Sequence, residues 1–168
     1  MERELPCRKN IRLQGYDYSQ AGYYFVTICV KDGHEMLGKV VGAAICRPRV
    51  ELSLEGKVVD NAIGNIQVIY PHVVVDKYVI MPNHIHLILS VYDFKGGRQV
   101  AAPTTAVQTV IGNMKRYVSM QIGFSIWQKS FHDRIIRNED EYQKICHYID
   151  QNPARWQDDL YYAKKAVD

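Results

Sequence analysis

Two histidines stand two residues apart in the stretch Tyr78-Val79-Ile80-Met81-Pro82-Asn83-His84-Ile85-His86-Leu87-Ile88-Leu89. From His84 to Val91 the pattern is that of a β-strand. Side chains alternate across a strand, so both imidazoles point to one face while Ile85 and Leu87 point to the other. At a rise of roughly 3.3 Å per residue, the two positions lie about 6–7 Å apart along the strand, and two ring nitrogens can converge from there on one metal ion. His86 interrupts an otherwise apolar strand, and burying an imidazole without a partner costs free energy. A paired role follows, either as metal ligands or as two hydrogen-bonded sheet histidines.

A second chemical pair lies in the stretch from Asn113 to Gly123, NMKRYVSMQIG. Tyr117 and Gln121 are four residues apart and share one face of a helix. Val110 and Met114 fall on the same face, which is therefore the one expected to dock on the protein. A phenol oxygen can attack a phosphorus atom, and an amide carbonyl can complete a metal site begun by two histidines. Taken alone, Tyr117 is one of 12 tyrosines and reads equally as a core residue. Gln121 alone reads as an exposed helix residue.

The elements that must hold these residues can be read from periodicity. Residues 1–22 form a polar arm in which Arg3, Arg8, Lys9 and Arg12 are concentrated, either solvated or in contact with a polyanion. Tyr23–Val30 is β-branched and aromatic and reads as a buried central strand. Gly33 marks a turn, and Met36–Val41 and Val50–Leu54 are two short strands. Leu54–Tyr70 carries apolar residues at three- and four-residue spacing and predicts one amphipathic helix ended by Pro71. Val73–Met81 is a strand, Pro82-Asn83 interrupts it, and His84–Val91 follows. Residues 93–105 hold Gly96, Gly97 and Pro103 and read as a linker. A helix over 107–122 closes at Gly123. Trp127–Ile136 is extended, and Glu139–Gln151 is a last helix stopped by Asn152-Pro153. Glu139, Asp140 and Glu141 suit the positive end of that helix. The order predicts an α+β domain spanning 1–168, with helices packed on a mainly antiparallel sheet of the ferredoxin-like (RRM-like) kind.

Composition sets limits on this reading. With 168 residues, 47% of them hydrophobic, the chain suits one domain with a proper core. A net charge of +3 does not in itself indicate nucleic-acid binding, so the position of charge matters more than its total. Cys7, Cys29, Cys46 and Cys146 form no Cys-x-x-Cys pair and suit neither a zinc knuckle nor a disulfide scaffold, which favours a reducing, cytoplasmic setting. The polar N-terminus shows no signal-peptide core, and no apolar run approaches the roughly 20 residues of a membrane span.

Met81-Pro82-Asn83-His84-Ile85-His86-Leu87, the helix carrying Tyr117 and Gln121, the opening IRLQGYDYSQAGYYFVTICV and the later SFHDRIIRNEDEYQKICHYIDQNP together resemble the single-tyrosine HUH transposases, including the REP-associated tyrosine transposases. The resemblance runs over roughly residues 10–155. It implies a metal-dependent enzyme that nicks and rejoins single-stranded DNA through a 5′-phosphotyrosine. In these terms Tyr117 is the nucleophile, and His84, His86 and Gln121 hold Mg²⁺ or Mn²⁺. Hairpin-bearing single-stranded DNA is the implied partner, and a nucleoid-associated location follows. A homodimer that places the tyrosine helix in trans is also implied, with the glycine-containing linker as its hinge. Lys95, Arg98, Lys115, Arg116, Lys129, Arg134 and Arg137 would meet phosphates, and Trp127 and Phe131 would either stack on bases or belong to the core. The rival readings are a domesticated hairpin binder that no longer cuts, a metal-dependent phosphodiesterase in which water attacks, and an RNA-binding module. The last is weakened by the lack of a paired-aromatic RNP signature.

Overall fold

The β-branched run after Gly22 forms the strand around which the sheet is built. A computed structural model describes residues 21–42, 47–92 and 106–162. Its elements are β1 (Gly22–Cys29), β2 (Gly38–Val41), β3 (Arg49–Leu52), α1 (Leu54–Gly64), α2 (Ile66–Ile69), β4 (Val73–Ile80), β5 (His84–Val91), α3 (Ala106–Ile122), β6 (His132–Ile136) and α4 (Glu139–Gln151). Short 3₁₀ segments lie at Lys31–Gly33 and Pro153–Asp158. Nearly all of the expected arm over 1–22, and the whole expected linker over 93–105, lie outside the described residues.

The main sheet has the order β4-β5-β1-β6, with every neighbour antiparallel. Together with crossover helices α1 and α3, this is the ferredoxin-like arrangement expected from the order of elements. β2 and β3 form a separate two-stranded ribbon. Two differences from the sequence reading have local causes. The helix expected over 54–70 is interrupted at Asn65, directly after Gly64, where two weak helix formers meet; the backbone stays right-handed there, at φ −83°, ψ −9°. The last strand begins only at His132, because Trp127 makes a single bridge to Val30 and the chain then leaves the sheet before rejoining it.

Both faces of the sheet are covered, by different helices. Tyr24, Val26 and Ile28 of β1 and Ile85, Leu87, Leu89 and Val91 of β5 form one core with α1 and α3. On the other face Ile88 and Ile136 meet Ile145 and Ile149 of α4, with Phe25, Val79 and Tyr142 beside them. α1 starts at Ser53, whose hydroxyl accepts from Gly56 N–H at 3.0 Å and donates to Met36 O at 2.6 Å. Gly56 is required there, since a Cβ would stand 2.0 Å from Leu37 O. α4 starts at Asn138, which accepts from Glu141 N–H at 2.9 Å, while Glu141 accepts from Arg137 N–H at 2.9 Å. Among the described residues no helix is long and apolar enough to cross a membrane.

Candidate active site

The period-two alternation of β5 decides where the histidines point. Ile85, Leu87 and Leu89 turn into the α1/α3 core, so His84 and His86 turn toward α4. Both rings are buried, at 0% and 2% exposure. Their ring centroids are 4.6 Å apart. Register places Cys29 opposite His84 and Thr27 opposite His86. His86 Nδ1 lies 2.8 Å from the Thr27 hydroxyl, and His84 Nδ1 lies 2.8 Å from Asn83 Oδ1. Burial pushes both imidazole pKa values down to about 3, so both rings are neutral at neutral pH, the form that ligates a metal.

α4 and the segment after it close over this pair. The Tyr148 hydroxyl reaches within 3.3 Å of His86 Nε2, and its ring packs edge-on against His86 and Phe25. Burial and then the Asp159 charge raise the Tyr148 pKa, while the Asn152 side chain acts in the opposite sense. Asn152 lies one turn after Tyr148 on the same side of the helix and is 1% exposed. Beyond it, Trp156 and Tyr161 bring ring centroids to 5.9 Å and 4.6 Å from His84. Asp159 is held by Tyr161 N–H, which donates to Asp159 Oδ1 at 2.8 Å.

These residues can hold a metal ion. One donor atom each from His84, His86 and Asp159 lies within 4.8 Å of the others. That is close to the span one ion bridges with metal–donor bonds of about 2.0–2.2 Å. His84 Nε2 and both terminal atoms of the Asn152 side chain are buried and make no hydrogen bond of ordinary geometry. Buried polar atoms are normally paired, so an unpaired ring nitrogen in the histidine pair and an unpaired amide one turn after Tyr148 suit a ligand site. Imidazole nitrogen, amide oxygen and carboxylate oxygen are all donors suited to a divalent first-row ion.

No family model matches the chain. An uncharacterized protein of Haemophilus influenzae is 30% identical to it over 172 residues, covering 92% of this chain and 93% of that protein. The chain belongs to the family of that protein. Among solved structures, a REP-associated tyrosine transposase bound to a REP hairpin superposes with a TM-score of 0.62 at 18% identity, covering 92% of this chain and 76% of that one. The chain has the fold of a REP-associated tyrosine transposase.

On this transposase fold the residues singled out from the sequence separate into two groups. His84 and His86 come together as expected. Tyr117 and Gln121 do not join them, because α3 packs on the opposite face of the sheet. Tyr117 is 45% exposed and lines a groove with Ile66, Tyr70, Val110 and Met114 between α2 and α3, and Gln121 is exposed. The expected triad of His84, His86 and Gln121 is therefore not assembled within the chain. Tyr148 stands at His86 instead, and Asn152 follows it at the same four-residue spacing as Tyr117 and Gln121.

The expected phosphate contacts also divide. Lys115 donates to the carbonyl oxygens of Gln128 and Lys129 at 2.6 and 3.3 Å, with Ser130 O at 3.5 Å, and so fastens α3 to the segment that follows it. Burial lowers its pKa. Arg134 pairs with Glu141 at 2.5 Å. Arg116, Lys129 and Arg137 are exposed, whereas Lys95 and Arg98 lie outside the described residues. Trp127 is buried and Phe131 half-buried against the core, so neither offers a free stacking face.

Proposed function

We propose that this chain is a single-tyrosine DNA strand transferase of the HUH type, with Tyr148 as its nucleophile supplied in cis by α4. The observation that carries the reading is the Tyr148 hydroxyl 3.3 Å from His86 Nε2, with His84 Nε2 and the side chain of Asn152, one helical turn on, unpaired. His84, His86 and Asn152, with Asp159 as a further donor, would hold Mg²⁺ or Mn²⁺. Such an ion supplies charge to stabilise the phosphate oxygens and the departing 3′ oxygen.

The remaining steps belong to the chain itself. Free tyrosine has a pKa near 10, and burial and Asp159 raise that of Tyr148 further, so the hydroxyl stays protonated until DNA arrives. The phenol oxygen then forms a bond to the scissile phosphorus, the P–O3′ bond breaks, and the phenol proton leaves as the 3′ oxygen becomes a hydroxyl. The product is a 5′-phosphotyrosine and a free 3′-OH. A 3′-OH of another strand end attacks the same phosphorus and restores Tyr148. Hairpin-bearing single-stranded DNA is the proposed substrate, and the exposed Arg116, Lys129 and Arg137 are proposed phosphate contacts. The cis arrangement needs no second subunit.

Covalent trapping tests this reading. The protein is incubated with Mn²⁺ and labelled single-stranded oligonucleotides carrying hairpins from its own genomic neighbourhood, and the SDS-resistant adduct is digested with trypsin. Cleavage after Lys144 and Arg155 isolates Tyr148 as the one tyrosine of its peptide, and cleavage after Arg116 and Lys129 does the same for Tyr117. The adduct is expected on the peptide 145–155. Tight hairpin binding without any adduct would instead identify a non-cutting binder, and strand cleavage without an adduct would identify a phosphodiesterase in which water attacks.

A further inference from the structure

We infer that Asn83 is a positioning residue that fixes the proton of His84 on Nδ1 and so leaves Nε2 as a bare lone pair facing the site. The two terminal atoms of an asparagine side chain are told apart by their surroundings. One terminal atom of Asn83 lies 3.1 Å from Gly33 O and 2.7 Å from Tyr161 O. Carbonyl oxygens only accept, so that atom is the amide nitrogen. The other is then Oδ1, which also only accepts, and it stands 2.8 Å from His84 Nδ1. Nδ1 must carry the proton, and Nε2 carries none. His84 Nε2 is the ring atom that has no partner among the described residues.

The backbone gives Asn83 no freedom to turn away. Val30 N–H donates to Asn83 O at 2.8 Å, Leu37 N–H donates to Pro82 O at 2.9 Å, and Met81 N–H donates to His84 O at 2.8 Å. The side chain is 2% exposed. His86 lacks this control, since the Thr27 hydroxyl at its Nδ1 can either donate or accept. One histidine of the pair is thus set in its ligating tautomer by a residue whose side-chain polar atoms are bonded within the protein. The outer partners of ligating histidines act in this way, and losing one typically weakens metal affinity by about 10- to 100-fold.

The tautomer stands whether or not the site cuts DNA, whereas its effect on metal affinity rests on the proposed reading. Long-range ¹H–¹⁵N correlation spectra of histidine-labelled protein report which ring nitrogen is protonated. His84 in the unsubstituted protein is expected to carry its proton on Nδ1. Asn83→Asp keeps an acceptor for Nδ1 but sets its second carboxylate oxygen against the Gly33 and Tyr161 carbonyls, so the Nδ1 proton should persist in the folded variant. Asn83→Ala removes the acceptor and should release the ring to the other tautomer. Calorimetric titration with Mn²⁺ should show Asn83→Ala weakened by about 10- to 100-fold and Asn83→Asp near the unsubstituted protein. A His84 protonated on Nε2 in the unsubstituted protein overturns the inference outright, with no variant needed. So does a folded Asn83→Ala that keeps both the tautomer and the Mn²⁺ affinity. If Asn83→Ala fails to fold, the unsubstituted spectrum and Asn83→Asp decide. An Nδ1-protonated His84 in a protein that takes up no Mn²⁺ would leave the positioning role intact and overturn the metal site.

Discussion

β5 presents two faces of one strand that do opposite work. Ile85, Leu87 and Leu89 enter the hydrophobic core with α1 and α3. His84 and His86, one residue out of step with them, enter a face where Thr27 and Tyr148 add polar atoms to the packing and His84 Nε2 is left unpaired. The first face gains stability from burial alone. The second gives some of that up to hold groups at fixed distances. A strand buried on both sides can therefore carry a site without losing its place in the sheet, because the other face anchors it.

Substitution on the two faces should show the contrast, beginning on the apolar side. Leu87→Ala empties a fully buried position and should cost about 2–5 kcal/mol in chemical denaturation, with Mn²⁺ binding by the folded fraction retained. A cost below about 1 kcal/mol would mean that this face is not the anchor.

The polar face should reveal itself through pH. The His84 and His86 pKa values lie near 3 in the folded chain, against about 6.5 when unfolded. The unfolded state thus binds more protons between these values, and stability falls as pH drops from about 6.5 toward 3. By pH 5 the loss should reach about 2 kcal/mol per histidine. Denaturation midpoints at pH 7 and pH 5, compared with those of a His84→Leu/His86→Leu double variant, check this. The variant should lose the histidine part of the slope, and an identical slope would show that the buried rings are not the titrating groups.

Smaller effects should separate the cations of α3. Lys115→Ala gives up charged hydrogen bonds to backbone carbonyls and should cost about 1–2 kcal/mol of stability. It should leave the salt dependence of DNA binding unchanged. Arg116→Ala should do the reverse, lowering the salt slope by about 1 with little effect on stability. Equal salt slopes for the two variants would place Lys115 at the DNA after all.

Much of this was legible in the sequence. The alternation of β5 placed His84 and His86 on one face, and the order of elements predicted the antiparallel sheet and its helices. The face chosen by each helix was harder to read. A tyrosine with an amide four residues later occurs on both α3 and α4, and spacing alone does not rank Tyr117–Gln121 against Tyr148–Asn152. Topology does: α1 and α3 are crossover helices between strands of one sheet, and crossovers of one hand place both on the same side. The histidines point to the other side, which only a helix after the last strand is free to cover. Asn152 looked like the stop of α4, a role it also fills. Asp159 had no signal at all, since its place depends on how the segment after Pro153 folds back over β5. Lys115 read as a surface cation because nothing local announces carbonyl oxygens arriving from 128–130.

The central claim is that α4, not α3, brings the nucleophile to the histidines. Adduct formation with Mn²⁺ and hairpin-bearing single-stranded DNA, compared among the unsubstituted protein, Tyr148→Phe and Tyr117→Phe, tests it most directly. The account predicts an SDS-resistant adduct in the unsubstituted protein and in Tyr117→Phe, and none in a folded, hairpin-binding Tyr148→Phe. An adduct that survives Tyr148→Phe and disappears in Tyr117→Phe would contradict it and return the nucleophile to α3.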